Sequence, residues 1–158
     1  MNNLILKPIE NKDIKLIEGW LNKEYIKKWY ENPKEWLEEI NNRGKKFGFI
    51  HHFIVIASNK PIGFCQYYDC FYAKEDWYNV IFANHSFSID YLIGDEEYLK
   101  KGYGTAIIKL LTETIKQKEN AIQIIVQPEK DNISSNNALL SAGYRYDNKS
   151  QYYYYNIF

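Results

Sequence analysis

Two cysteines in 158 residues are too few for a disulfide scaffold, and their placement argues against a bridge. Cys65 and Cys70 lie five apart in one strand-like segment, where an odd spacing puts side chains on opposite faces. Reduced thiols, and with them a cytoplasmic protein, are the expectation. An excess of one charge is also missing, since 20 Lys and Arg balance 20 Asp and Glu. The lysines are dispersed among acids, so no basic stripe points to nucleic acid. No run approaches the ~20 apolar residues of a membrane span. The start MNNLILKPIENKD has neither the charged lead nor the apolar core of a secretory signal. Repeats and interior linkers are absent as well. The expectation is one domain, residues 1–158, long enough to bury a core.

Aromatic residues are abundant, at 17% of the chain with 15 tyrosines and four tryptophans. Periodicity sorts them into elements. Leu4–Ile9 alternates like an edge strand, and Asp13–Leu21 carries Ile14, Ile17 and Leu21 at helical spacing. A short helix is expected near Tyr25–Tyr30. Asn32-Pro33-Lys34-Glu35 reads as a helix start, with Asn as N-cap and Pro at the first helical position. His52–Ala57 and Ile62–Tyr72, joined by a turn at Ser58–Pro61, form a hairpin. Ala73–Ser86 is a polar, aromatic-rich insertion without clear period. Then come a strand Phe87–Gly94, a helix Thr105–Lys118, a strand Ala121–Val126, a helix Ser134–Ala142 stopped by Gly143, and two closing strand-like runs. This order predicts an α/β domain with a mixed sheet, its strand–helix–strand unit parallel and right-handed.

Phe87–Lys118 is the most informative stretch. An apolar strand carries one acid, Asp90, and leads through Lys101-Gly102-Tyr103-Gly104-Thr105 straight into a helix. Glycines let backbone turn tightly and approach a ligand, and the free N–H groups of a helix start point at an anion. The bland alternative is plain backbone geometry. A dinucleotide loop needs GxGxxG with an acid about 20 residues on; here Ile107 takes the third glycine position. A triphosphate loop needs Gly-Lys-Ser/Thr, which is also missing.

The run Gln127-Pro128-Glu129-Lys130-Asp131-Asn132, followed by SSNNALLSA and Gly143-Tyr144, resembles the GNAT acetyltransferase superfamily. PIGFCQYY (Pro61–Tyr68), SIDYLIG (Ser88–Gly94), KKGYGT (Lys100–Thr105) and WLNKEYIKKWYE (Trp20–Glu31) resemble its aminoglycoside 6'-N-acetyltransferases. The likeness spans about Leu4 to Tyr146. It implies a GNAT fold: a central mixed, mostly antiparallel sheet, helices on both faces, and a splayed cleft for acetyl-CoA. It implies a small amine acceptor, cationic in character, and a monomer or homodimer. By position, main-chain N–H groups of Lys100, Lys101, Gly102, Tyr103, Gly104 and Thr105 would hold the CoA pyrophosphate. Leu92 and Ile93 would pair through backbone with the pantetheine arm, and Asn132 would contact it. Asp90 would lie beside the acceptor amine. A carboxylate there binds an ammonium and accepts a proton as the amine attacks, and unpaired acids in apolar strands are rare.

Two positions depart from the family pattern. Leu99 replaces the Gln or Arg that often opens the loop motif, which matters little where main chain makes the contacts. Leu139 replaces the tyrosine credited with protonating the CoA thiolate, leaving water, Tyr144 or Tyr146 as proton donors. Asp69, Tyr72, Glu75, Asp76 and Trp77 form an expected acidic, aromatic acceptor wall, against the alternative of a solvated loop. Trp20, Trp29 and Trp36 fit core positions. His51 and His52 face opposite ways on a strand and His85 is isolated, so no metal site is expected.

Overall fold

A computed structural model describes residues 3–158. Its strands are β1 (Leu4–Pro8), β2 (Ile50–Ala57), β3 (Lys60–Asp69), β4 (Ser86–Ile93), β5 (Gln123–Val126), β6 (Arg145–Asp147) and β7 (Tyr152–Asn156). The helices are α1 (Ile14–Leu21), α2 (Glu24–Lys27), α3 (Pro33–Asn41), α4 (Cys70–Ala73), α5 (Tyr103–Lys118) and α6 (Ile133–Ser141). One seven-stranded sheet runs in the order β1-β2-β3-β4-β5-β7-β6. Every neighbouring pair is antiparallel except β4 and β5.

The sheet is buried on both faces where it matters. Side chains alternate along a strand, so Val55, Cys65, Tyr67 and Ile89 meet the α5 stripe Ile107, Ile108, Leu111 and Ile115. Ile54, Phe64 and Leu92 point the other way, onto Ile17, Leu21, Ile26 and Ile40 of α1–α3. Strand β3 is therefore buried without a break from Ile62 to Asp69. This is the two-faced burial that erases alternation from a central strand.

Strands β4 and β5 part company early. They pair only at Ser86↔Gln123 and Phe87↔Ile124, although β4 continues to Ile93 and β5 to Val126. On its other side β4 stays paired with β3 from Asp69↔Phe87 to Gly63↔Ile93. The far edge of β4 beyond Phe87 is consequently open, and a cleft enters there.

Some sequence expectations needed correction. Strand β3 ends at Asp69 rather than Tyr72, because the Asp69 carboxylate accepts from Phe71 N at 3.0 Å and starts the short helix α4. Cys70 thus lies on a helix, and both cysteines are buried and free. Helix α3 does begin with Pro33, but Asn32 sits at φ 59 and its side chain caps nothing. Of the insertion, Trp77, Tyr78 and Val80 rest on Ile50, Tyr68 and Ile125, while Ile81 and Phe82 are exposed. Among the described residues no helix is long and apolar enough to cross a membrane.

Candidate active site

The open edge of β4 leads to a cleft of about 370 Å³ at the start of α5. After a 3₁₀ turn at Glu96–Tyr98, Lys100 (φ 59) and Gly102 (φ 85) both take left-handed backbone, and Gly102 is the residue before α5. No side chain caps this helix, so the first-turn N–H groups have no protein acceptor and face the cleft. Gly104 leaves room for the Tyr91 ring, which would lie 3.4 Å from a Cβ added there. Lys100, Gly102, Tyr103, Gly104, Thr105 and Asn132 all line the cleft, as do Leu92 and Ile93. Lys101 is exposed and does not line it. The Asn132 side chain caps α6, accepting from Ser135 N at 3.2 Å.

Which main-chain groups of β4 are open follows from the ladder. Gly94 N donates to Ile62 O at 2.8 Å, and antiparallel residues alternate between facing the partner and facing away. Leu92 and Asp90 therefore turn their main chain to β3, while Tyr91 and Ile93 turn theirs to the cleft. This corrects the expectation for Leu92, whose carbonyl lies against Gly63. The open groups are capped by phenols. The Tyr30 hydroxyl donates to Tyr91 O and accepts from Tyr91 N, and the Tyr25 hydroxyl donates to Ile93 O at 2.7 Å.

Asp90 projects to the α1–α3 side, into a second cleft of about 240 Å³. Gln66, directly opposite on β3, donates its Nε2–H to Asp90 Oδ2 at 2.9 Å. Trp29, Trp36, Tyr68, Glu75 and Trp77 wall this cleft. Burial pushes the Asp90 carboxyl up to about 7; the Gln66 hydrogen bond works against this and the Glu75 charge adds to it. Glu39 on α3 is likewise pushed up to about 7, by burial and then by the charges of Asp90 and Glu75. The Glu75 charge thus raises Asp90, and the charges of Asp90 and Glu75 raise Glu39.

The structure assembles only part of the expected acceptor wall. Glu75 and Trp77 line the Asp90 cleft, joined by a hydrogen bond of 2.5 Å from the Trp77 indole N–H. Asp69 is buried and used structurally, accepting from Phe71 N at 3.0 Å and Asn84 N at 2.8 Å. Tyr72 is exposed against Phe49, and Asp76 is exposed. Trp20 is buried as expected and Trp36 packs against the same core, but Trp36 and Trp29 also line the cleft. Glu39 was not anticipated. Its signal was the three-residue step from Trp36, which puts both on one helix face.

The expected proton donors fail on position. Tyr144 is 2% exposed, and its hydroxyl is bonded to Thr112 Oγ1 at 2.8 Å inside the core. Tyr146 packs on Tyr153 beside Gln127 and Glu129, outside both clefts. Leu139 is fully buried. The residues lining both clefts are Trp29, Tyr30, Tyr91, Asn132 and Ser135. Burial raises the phenols of Tyr30 and Tyr91, keeping both protonated as donors.

Comparison with known proteins accounts for this architecture. Residues 10–152 match a family model described as "Acetyltransferase (GNAT) domain". The type 1 aminoglycoside N(6')-acetyltransferases of Klebsiella pneumoniae and Serratia marcescens are each 21% identical over 149 residues, covering 90% of this chain and 74% of the relative. The solved aminoglycoside acetyltransferase AAC(6')-Ib in complex with coenzyme A superposes with TM-score 0.82 at 19% identity, covering 97% of this chain and 94% of that one. Spermidine N-acetyltransferase from Vibrio cholerae, in complex with CoA and spermine, gives 0.73 at 18% identity, covering 93% and 83%. Likeness at such identity speaks for the fold, and the family match extends over nearly the whole sequence. An uncapped helix start beside parted parallel strands, within a chain matched from residue 10 to 152, makes this protein a member of the GNAT acetyltransferase family.

Proposed function

We propose that the chain, acting as one domain, transfers the acetyl group of acetyl-CoA to a primary amine of a polycationic small molecule, with an aminoglycoside 6'-amine the preferred acceptor. The observation that carries this reading is Asp90. Its carboxyl is poised near neutral pH where the cleft walled by Glu75 and three tryptophans meets the open edge of β4, with Glu39 on α3 near enough to feel its charge.

Acetyl-CoA supplies the acyl group already activated as a thioester. The free N–H groups at the start of α5 suit its pyrophosphate. The cleft-facing main chain of Tyr91 and Ile93 suits its pantetheine amides once the Tyr30 and Tyr25 hydroxyls give way. On the other side, the carboxylates attract an ammonium and the indoles cover it. An amine attacks only as the free base, and a carboxyl titrating near 7 takes a proton far better than an ordinary aspartate. With Leu139 unable to return a proton, water or the junction hydroxyls of Tyr30, Tyr91 and Ser135 serve. A thiol with a pKa of roughly 8.5 needs little help to leave. A cytoplasmic location, with ready acetyl-CoA, and a role in antibiotic resistance belong to this reading.

The acidic cluster would serve a linear polyamine too, and a polyamine acetyltransferase is among the structural neighbours, so that is the second reading. A CoA-release assay with kanamycin and with spermine separates them. Release with kanamycin at the higher kcat/KM is the expected result, and preference for spermine would transfer the assignment. Thermal stabilisation by acetyl-CoA without release on any amine would leave a CoA-binding protein instead of an enzyme.

A further inference from the structure

Three buried side-chain atoms lack a hydrogen-bond partner: Nδ1 and Nε2 of His52 and Oε1 of Gln66. They are the only such atoms among the described residues, and they lie together. His52 on β2 is directly opposite Gln66 on β3, which is directly opposite Asp90 on β4. Directly opposed residues in antiparallel strands project from the same face with neighbouring Cβ atoms. His52, Gln66 and Asp90 therefore form one row across three strands, ending at the acid of the second cleft. His52 and Gln66 are 4% and 2% exposed, so bulk solvent does not reach them.

The chemistry of the row has one consistent solution. The Gln66 amide has one carbonyl and one NH₂ group. Its Nε2–H donates to Asp90 Oδ2 at 2.9 Å, which turns Oε1 away from the carboxylate and towards β2. A neutral imidazole has one N–H to give. Burial pushes His52 down to about 4, while Gln66 acts on it as an acceptor in the opposite sense. The ring stays neutral at physiological pH and keeps that single donor. Phe64, stacked at 5.9 Å between centroids, bounds the ring on one side.

We propose that His52 and Gln66 are positioning residues for Asp90: His52 donates its ring N–H to Gln66 Oε1, which locks the amide with its NH₂ on Asp90. The flipped amide would set a carbonyl against the carboxylate and strand the imidazole N–H. The lock leaves the second Asp90 oxygen for the ligand of the cleft. This role rests on the acetyltransferase reading, but its first consequence, control of the Asp90 carboxyl, is independent of turnover. The other groups facing Asp90 are Tyr68 on β3, Glu75 after α4, Tyr30 before α3 and Glu39 on α3. Arg43 is the cation that acts on His52, and His51, its neighbour in the chain, projects from the other face of β2.

The test is a ¹³C carboxyl NMR titration of Asp90 in the free protein, without acetyl-CoA or amine. Gln66→Met, with Gln66→Leu beside it as a smaller replacement, removes the donor and is expected to move the Asp90 midpoint up by about one pH unit. His52→Phe is expected to move it the same way by less, and His52→Gln, which restores an N–H donor, to return it towards wild type. An unmoved midpoint in both Gln66 variants overturns the proposal. So does identical behaviour of His52→Phe and His52→Gln, because packing alone would not distinguish the donor. In the CoA-release assay the same variants are expected to lose kcat while the KM for acetyl-CoA holds. If the midpoints move as expected in a protein that acetylates no amine, the row stands and the enzymatic reading falls.

Discussion

The cleft at the start of α5 takes its anion-facing main chain from one short stretch, Tyr91 to Thr105, and is closed by Tyr25 and Tyr30 on one side and by Asn132 and the α6 residues Ser134, Ser135, Asn137 and Ser141 on the other. The Asp90 cleft takes its surface from side chains scattered over the fold: Trp29 and Trp36 near α3, Tyr68 on β3, Glu75 and Trp77 in the insertion, and Asp90 itself. The first site needs a backbone shape, so side-chain changes that keep the shape should be tolerated. The second needs particular groups held by long-range contacts, so single replacements should be felt. The difference is that between a site made by local conformation and one made by assembly.

The strongest way to break this contrast is Asp90→Asn. It is expected to lower acetyl transfer by ~10²-fold or more, the usual scale for a lost general base, with acetyl-CoA affinity unchanged in calorimetric titration. Equal loss of cofactor binding would merge the two clefts. The same variant carries a stability signature with a fixed sign. The native carboxyl sits at about 7 against an ordinary 3.8, so the folded state binds the proton more tightly than the unfolded chain. The charged form is thus a liability that grows as pH rises from about 4 and is complete above 7. Asp90→Asn is expected to raise the melting temperature at pH 8 and to leave it unchanged near pH 4.

Gly104→Val probes the main-chain site where shape is tight. Its Cβ meets the Tyr91 ring at 3.4 Å, and the branched side chain goes further into the cleft. Acetyl-CoA affinity is expected to fall ~10-fold, roughly the 1.4 kcal/mol of one decade, and Lys101→Ala, outside the cleft, to leave it within twofold of wild type. Glu39→Gln sharpens the other half: a ~3-fold rise in KM for a polycationic acceptor, larger at low salt, with the acetyl-CoA KM unmoved. Tyr144→Phe should have the smallest effect. Turnover is expected to stay at wild-type level, and denaturant unfolding to report a loss of about 1 kcal/mol for the buried bond to Thr112.

Legibility in the sequence followed the same division. The α5 stripe Ile107, Ile108, Leu111 and Ile115 is periodic and appears where periodicity places it. Gly102 carries the left-handed turn its residue type suggests. Tyr144 misled because residue type and nearness in sequence say nothing of facing, and its hydroxyl points into the core. Asp69 misled in a similar way. The sequence places it in the acceptor wall, whereas its buried carboxylate ties Phe71 and Asn84 together. The family pattern points to Leu92 and Ile93 together, yet the strand pleat gives the cleft the main chain of Ile93 and of Tyr91.

The one-dimensional pattern by itself determined the elements, their order and the anion-ready loop, since propensity, hydrophobic period and turn chemistry act over a few residues. Only the tertiary structure decided which acids share a cleft, which tryptophans line it, and that His52, Gln66 and Asp90 stand in one row. Those facts depend on strand register and on α2 and α3 closing over β4, contacts between residues far apart in the chain, and on burial that raises carboxyls only once the chain has closed around them.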